Sequence, residues 1–276
     1  MFYFDTNDYS DKVNVLLRKH FNRFEEQDCL LPSWKINYMG EEIKDSRVEK
    51  TFIGKISGHS FFTSPESLWI SVSDQQNRIV IRMPWDFSKV YLFCKKDELS
   101  LYRSILELLY QGYRYRAATQ NAMMIHAAAI VFRGEGILFC GESGAGKSTQ
   151  AILWRKYLNA KALNYDKPCI LFSEGQLIAH GSPWSGKENL FLNEHAPLRS
   201  IVFVEKADYN DIKKMSYSEA FSSLLLHNYL LPANNQVQNS YFDLISNIIE
   251  KTPIYTLRCT IDVESVKTLY EELYCY

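Results

Sequence analysis

The pattern of apolar and polar residues changes near residue 120. Before that point, short β-branched or aromatic segments are separated by Gly, Pro, Asp and Asn, which is typical of strands. The predicted strands are Trp34 to Tyr38, Thr51 to Ile56, Leu68 to Val72, Arg78 to Met83 and Val90 to Cys94. We expect these strands to form an antiparallel sheet. Apolar residues then recur with helical period from Leu101 to about Ala118, which predicts an amphipathic helix leading out of this region.

After residue 120 the pattern indicates alternating strands and helices. Two apolar runs, Ile125 to Phe132 and Gly136 to Cys140, flank Arg133-Gly134-Glu135 and predict a hairpin of buried strands. Further strands are predicted at Ala162 to Asn164, Cys169 to Phe172, Gln176 to His180, Ser200 to Val204 and Ile254 to Arg258. Helices are predicted at Ser148 to Leu158, Ser218 to Asn228, Ser240 to Lys251 and Val263 to Leu273. The second half is therefore α/β or α+β.

Composition and length limit the classes of protein. The 276 residues, 46% apolar and 23% charged, are typical of a globular protein of one large or two smaller domains. We predict a β-rich domain over 1–118 and a second domain over 119–276. The net charge of −1 excludes a global electrostatic attraction to nucleic acid or to an anionic membrane.

Location is inferred from the amino end and from the cysteines. Asp5, Asp8 and Asp11 stand where a secretory leader would have basic and apolar residues, and no apolar run approaches the roughly 18 residues of a membrane span. The six cysteines show no metal-ligand spacing. These features favour a cytoplasmic protein.

One motif carries specific chemistry. Gly141-Glu142-Ser143-Gly144-Ala145-Gly146-Lys147-Ser148-Thr149 fits the phosphate-binding loop G-x-x-x-x-G-K-[ST], between a predicted strand and a predicted helix. Glycines let backbone N–H groups turn toward phosphate oxygens, and the helix amino terminus adds partial positive charge. Lys147 would bridge the β and γ phosphates of ATP, and the Ser148 hydroxyl would ligate Mg²⁺.

Asp166 is the first candidate for the carboxylate that phosphoryl transfer needs. It follows the loop by one predicted helix and one short strand, a separation that returns the chain to the sheet beside the loop in a βαβ-like unit. The alternative is a solvated turn residue before Lys167-Pro168.

Two further groups are candidates. His126 stands in the predicted strand Ile125 to Phe132, where a lone histidine is more often a hydrogen-bonded core residue. Lys187, in the turn Gly181 to Lys187, has equal claims as a phosphate or substrate ligand and as part of a hairpin. Ile201 to Glu205 resembles a Walker B strand ending in an acid, although we favour a plain buried strand.

These motifs resemble those of the HPr kinase/phosphorylase-like family, whose nucleotide domain is related to that of ATP-dependent phosphoenolpyruvate carboxykinase. The resemblance covers roughly residues 121–276 and depends on Ile125 to Ala128, the Gly141 to Thr149 loop, Asp166 and the Gly181 to Lys187 turn. It implies that a P-loop nucleotide domain follows the β-rich domain in the chain. It also implies that Asp166 activates the acceptor and is a metal ligand with Ser148, that His126 lies near the γ phosphate, and that Lys147 binds phosphate.

Two departures separate the chain from HPr kinase itself. The family often has two adjacent acids where this chain has Tyr165-Asp166, and the carboxyl-terminal signature loop of that enzyme is missing. The first 120 residues also differ from that enzyme's amino-terminal domain.

The main functional hypothesis is a Mg-ATP-dependent kinase acting on a hydroxyl, either a serine of a peptide or protein or a small molecule. The alternative is a nucleotide-sensing module that transfers nothing. Expected partners are a nucleotide and this acceptor, with neither nucleic acid nor membrane. Abundant aromatic residues leave material for a homo-oligomer interface.

Overall fold

A computed structural model describes residues 2–4, 12–24, 29–39, 48–73, 78–94, 102–186, 190 and 192–275. The chain forms two compact units. Residues 1–120 group with 230–241, and residues 121–229 group with 242–276. The architecture is mixed α+β, with one sheet in each unit.

The described residues of the first unit form a seven-stranded sheet in the order β1-β2-β7-β6-β5-β4-β3. Its strands are β1 (Phe2–Phe4), β2 (Trp34–Tyr38), β3 (Thr51–Ile56), β4 (His59–Thr63), β5 (Ser67–Ser73), β6 (Arg78–Pro84) and β7 (Lys89–Phe93). Its helical segments before residue 120 are α1 (Lys12–Phe21), a 3-10 helix (Asn22–Phe24) and α2 (Tyr102–Ala118). The five predicted strands and the predicted helix are therefore present.

The prediction of an antiparallel sheet is wrong for one side of this sheet. Strands β3 to β7 pair in antiparallel fashion, but β2 runs parallel to both β1 and β7. Helix α1 lies between β1 and β2 in the chain and supplies the crossover that parallel neighbours require. Neither α1 nor β1 was predicted from the pattern.

Helix α2 packs on the face of this sheet formed by β5 and β6. The apolar positions predicted for its buried side, Ile105, Leu108 and Leu109, are fully buried. Gly112 brings the helix close, since a Cβ there would lie 2.6 Å from Ile81 Cδ1. This burial explains why the helical period of the segment is so regular.

The second unit is built on nine strands of the described chain. They are β8 (Ala122–Met124), β9 (Ala128–Phe132), β10 (Glu135–Cys140), β11 (Lys161–Asn164), β12 (Cys169–Ser173), β13 (Gln176–His180), β14 (His195–Lys206), β15 (Asp211–Lys214) and β16 (Ile254–Cys259). The long β14 pairs with β13 through its first residues and with β10 and β16 through its later ones.

The order β11-β9-β10-β14-β16-β15 decides which residues meet at one edge. Strand β9 lies between β10 and β11 and is antiparallel to both. The start of β9 therefore lies at the same edge as the carboxyl ends of β10 and β11. Strands β10 and β11 therefore run parallel to each other, with β9 between them.

The helices described after β10 are α3 (Lys147–Leu158), α4 (Tyr217–Asn228), α5 (Asn235–Lys251), whose first residues belong to the first unit, and α6 (Val263–Tyr274). Helix α3 packs against β9, β10 and β11. The core joins Phe139, Trp154, Val202, Leu257 and Leu269. Strand β15 was not predicted, because Ile212 is the one apolar residue among its four. Within the described ranges, no helix combines the length and the hydropathy needed to cross a bilayer.

Candidate functional site

A glycine-rich loop, Gly141–Gly146, joins the carboxyl end of β10 to α3. Gly141, Gly144 and Gly146 have φ values of 134°, 79° and 107°, which L side chains rarely adopt. A Cβ on Gly141 would also lie 2.8 Å from the Val204 carbonyl oxygen. Ala145 N–H donates to Glu142 O at 3.1 Å, closing the turn. The glycines of the motif are thus needed for the path of the backbone.

Lys147 is the first residue of α3 and is buried, with 9% of its surface exposed. Its Nζ donates to the carbonyls of Gly141 at 3.0 Å and Glu142 at 2.9 Å, so the ammonium lies against the loop. Burial lowers the pKa of Lys147, and the nearby Cys140 and Asp166 partly offset that effect. Ser148 and Thr149 follow in the first helical turn and are half-buried.

A cleft of about 560 Å³ opens beside this loop. Ser143, Gly144 and Ala145 form part of its wall together with the rest of 141–145. The rest of its lining comes from Phe203–Lys206 at the end of β14, and from Met215, Ser223 and His227.

Asp166 lies two residues beyond the end of β11, and Asn164 determines its position. The Asn164 side-chain oxygen accepts hydrogen bonds from the backbone N–H groups of Asp166 and Lys167, each at 2.9 Å. This Asx turn satisfies the backbone before Pro168. The carboxylate of Asp166 is therefore left for other partners and does not cap the turn.

Asn164 is itself held by the segment that follows β13. It is fully buried, and its Nδ2 donates to the carbonyls of Ser182 at 3.2 Å and Trp184 at 3.0 Å. Ser182 Oγ donates in turn to Lys167 O. Gly186 lies against the acid, since a Cβ there would be 3.3 Å from Asp166 Cβ. Lys187, the predicted phosphate ligand in this segment, lies outside the described residues.

His126 precedes β9 in a bend, so its predicted position within a strand is wrong. Backbone hydrogen bonds on either side place it, from Ile125 N to Pro168 O at 3.0 Å and from Ala127 N to Asp166 O at 3.1 Å. His126 N–H also donates to the Asn228 side-chain oxygen at 3.3 Å. Residues 125–127, which lie between β8 and β9, therefore do not have strand geometry.

The structure brings His126 and Asp166 into direct contact. His126 Nδ1 lies 3.1 Å from Asp166 Oδ1, and Lys167 Nζ lies 3.9 Å from Asp166 Oδ2. Burial of Asp166 favours its neutral form. The hydrogen bond from His126 and the positive charges of Lys167, His126 and Lys147 outweigh that effect and lower the pKa of Asp166. The carboxylate is therefore ionised at neutral pH.

Two other charged residues lie farther along the sheet. Glu205, near the end of β14, accepts a hydrogen bond from Arg258 Nε at 3.0 Å. Arg199 lies near the start of the pairing between β14 and β10, where it approaches Glu135 at 3.8 Å. It is therefore at the sheet edge opposite the glycine-rich loop.

Sequence reasoning missed Asn164, Ser182 and Asn228. An asparagine two residues before Asp166 and four before Pro168 is a turn signal that could have identified Asn164. Ser182 and Asn228 carry no local signal, because they act only through residues distant in sequence.

Comparisons with known proteins identify a family profile and similar solved structures. A family profile described as "SynChlorMet cassette protein ScmC" matches residues 92–268. The solved structure of the HPr(Ser) kinase/phosphatase from Coxiella burnetii is similar at 13% sequence identity and a TM-score of 0.32, covering 55% of this chain and 93% of that one. No curated protein sequence matches significantly. Since the family profile spans more than half of the chain, including the glycine-rich loop, His126 and Asp166, the protein belongs to the ScmC family.

Proposed function

We propose that this protein is a kinase that transfers the γ-phosphoryl group of Mg-ATP to a hydroxyl acceptor, either a serine of a peptide or protein or the hydroxyl of a small molecule. The main support is the contact between His126 and Asp166 at the sheet edge where the glycine-rich loop begins. Phosphoryl transfer needs a phosphate cradle and a carboxylate facing the acceptor. The glycine-rich loop would supply the cradle, and Asp166 would supply the carboxylate.

The loop supplies the cradle. Three glycines with positive φ let backbone N–H groups face inward at the amino terminus of α3, where the helix dipole favours anions. The Lys147 ammonium now bonds two loop carbonyls and would exchange them for phosphate oxygens. This arrangement fits a nucleotide triphosphate.

Magnesium fits the same residues. The Ser148 hydroxyl, in the first turn of α3, and the ionised Asp166 carboxylate are oxygen ligands of the kind Mg²⁺ takes. When bound, the ion would neutralise charge on the phosphate oxygens.

Asp166 would act on the acceptor. Its carboxylate accepts the hydroxyl proton as the acceptor oxygen bonds to the γ phosphorus and the bond between that phosphorus and the β–γ bridging oxygen breaks, releasing ADP. His126 holds Oδ1 in place, and the Asx turn at Asn164 holds the backbone. Because the pKa of Asp166 is lowered, the proton-accepting form is present at neutral pH.

Transfer of label from γ-labelled ATP to components of a cell extract tests the proposal. We expect Asp166→Asn to lower the rate by about 10²- to 10⁴-fold, the range for losing a general base. Asp243→Asn, an exposed acid-to-amide change on α5, is the matched control and should transfer normally.

A second measurement separates binding from transfer. In calorimetry with Mg²⁺, ATP should bind the native protein and Asp166→Asn, and Lys147→Ala should abolish binding. If native protein and Asp166→Asn give the same labelled products, the kinase proposal fails. ATP binding without transfer would instead support a nucleotide-sensing module.

A further inference from the structure

A second cavity of about 510 Å³ lies on the other side of the glycine-rich loop from Asp166. Strands β14, β16 and β15 form its floor, and helix α4 forms one wall with Ser218 and Ser222. Its volume is within the range of about 300–1,000 Å³ that is usual for small-molecule sites. The proposed transfer chemistry does not use it.

The floor of this cavity presents hydrogen-bonding groups in register. Arg258 on β16 is paired with Glu205 on β14 and with Asp211 on β15, so one cation stands between two acids. In the neighbouring row, Thr256 stands between Phe203 and Lys213. With Glu219, the lining has three carboxylates against two cations. Such a lining suits a neutral, hydroxyl-rich ligand better than a phosphate.

This cavity adjoins the cleft beside the glycine-rich loop. Glu205, Met215 and Ser223 line both spaces. A molecule with its phosphates against the loop would therefore reach the second cavity by passing Met215, which lines both spaces.

The strand order separates this cavity from the acceptor side. The loop follows β10, His126 and Asp166 lie toward β9 and β11, and the second cavity lies toward β14 and β16. Neither His126 nor Asp166 lines either space. A nucleotide across the loop thus has its terminal phosphate on one side and its nucleoside on the other.

We infer that the second cavity binds the nucleoside of the nucleotide, with Glu205 and Asp211 accepting hydrogen bonds from the sugar hydroxyls and Met215 packing against the base. The inference rests on the proposed function, because it requires the phosphates to be held by the loop. The inference assigns recognition of the sugar and base to Glu205, Asp211 and Met215, which lie more than fifty residues after the glycine-rich loop.

Binding of two probes tests this inference. Calorimetry with Mg²⁺ compares ATP with inorganic tripolyphosphate, which has the phosphates but no nucleoside. We expect native protein to bind ATP at least about tenfold more tightly, the equivalent of one to two hydrogen bonds. Ser222→Trp, which fills the second cavity, should remove that advantage and leave tripolyphosphate binding unchanged.

A matched control lies on the same helix. Leu226 is 77% exposed and lines neither cavity, so Leu226→Trp should keep the native preference for ATP. Removal of both sugar hydroxyls, with 2′,3′-dideoxy-ATP as the probe, should weaken binding to native protein at least about fivefold.

Each outcome decides the matter. If tripolyphosphate binds through Lys147 but ATP binds no more tightly, the inference fails while the phosphate cradle stands. If Ser222→Trp weakens both probes equally, or neither, the cavity does not hold the nucleoside and the inference fails. If neither probe binds native protein, the proposed function fails and takes the inference with it.

Discussion

The two sides of the glycine-rich loop each carry an acid beside a cation, in contrasting surroundings. Toward β9 and β11, the Asp166 side chain is 18% exposed, and its turn is held by a fully buried asparagine. Toward β14 and β16, the side chains of Glu205 and Arg258 are 52% and 51% exposed. Water screens the second pair, whereas the first depends on protein groups.

This contrast shows what distinguishes a buried, hydrogen-bonded carboxylate from a surface ion pair. Asp166 combines burial with hydrogen bonding and nearby positive charge, which together lower its pKa and fix its direction. Glu205 has a single strong partner and retains access to solvent and to a ligand. The first arrangement suits proton transfer, and the second suits exchange of a surface partner for a ligand hydroxyl.

The largest effect on stability is expected from Asn164→Ala. The change leaves the backbone N–H groups of Asp166 and Lys167 and the carbonyls of Ser182 and Trp184 without the partners they now have. Unsatisfied buried groups cost about 1–3 kcal/mol each before relaxation, so we expect a loss of about 3 kcal/mol. Urea unfolding at pH 7 measures it.

Asn247→Ala is the matched control for this change. Asn247 Nδ2 donates to Asp243 O at 2.9 Å on an exposed helical surface, and its loss should cost less than about 0.5 kcal/mol. Equal costs for the two variants would show that the buried side of the loop is no more constrained than the surface.

A smaller effect on stability is expected from His180, a fully buried residue at the end of β13. Its Nδ1 lies 2.6 Å from Gly181 O. Burial lowers the pKa of His180 from 6.5 to about 4, although the hydrogen bond to Gly181 opposes the shift, and His195 lowers it further. The unfolded chain therefore binds the proton first as pH falls, and stability decreases from about pH 6.5 down through pH 4.

Between pH 7 and pH 5 this single group should reduce the free energy of unfolding by about 2 kcal/mol. Urea titrations of native protein and His180→Gln at both pH values isolate the contribution of His180, because each protein's free energy of unfolding at pH 5 is compared with its own value at pH 7. The variant should lose about 2 kcal/mol less than native protein on acidification. The same pH dependence in both proteins would contradict a buried, neutral His180.

The smallest effect is expected from Arg258→Met, on the exposed side. The change removes the ion pair with Glu205, but both side chains are half in solvent, so we expect no measurable shift in the urea midpoint. A clear loss of stability would contradict the comparison between the two sides of the loop, because the exposed ion pair would then stabilise the fold as much as the buried groups do.

Local patterns in the sequence predicted most elements of the second unit. Gln176 to His180 has the predicted bounds, and the hairpin between β9 and β10 turns at Arg133-Gly134 as expected. These elements combine apolar periodicity with turn residues, so propensity and packing agree. In the first unit, the sequence pattern missed strand β4, because His59, Ser60 and Thr63 leave only two apolar positions in it.

The site was predictable only in part, for a different reason. The glycine-rich loop is contiguous, so its residues identify it directly. The meeting of His126 with Asp166 depends on β9 entering between β10 and β11, which no local pattern specifies. Asn228 comes from α4, about a hundred residues after His126, and its hydrogen bond to that backbone is set by tertiary packing alone.

The segments around His126 and Asp166 are joined by their main chains, through the hydrogen bonds from Ile125 N to Pro168 O and from Ala127 N to Asp166 O. Replacing either side chain therefore leaves the backbone connection intact. Under the proposed function, immobilised Asp166→Asn loaded with ATP would stay folded without transferring phosphate, and could capture the hydroxyl-bearing acceptor from an extract.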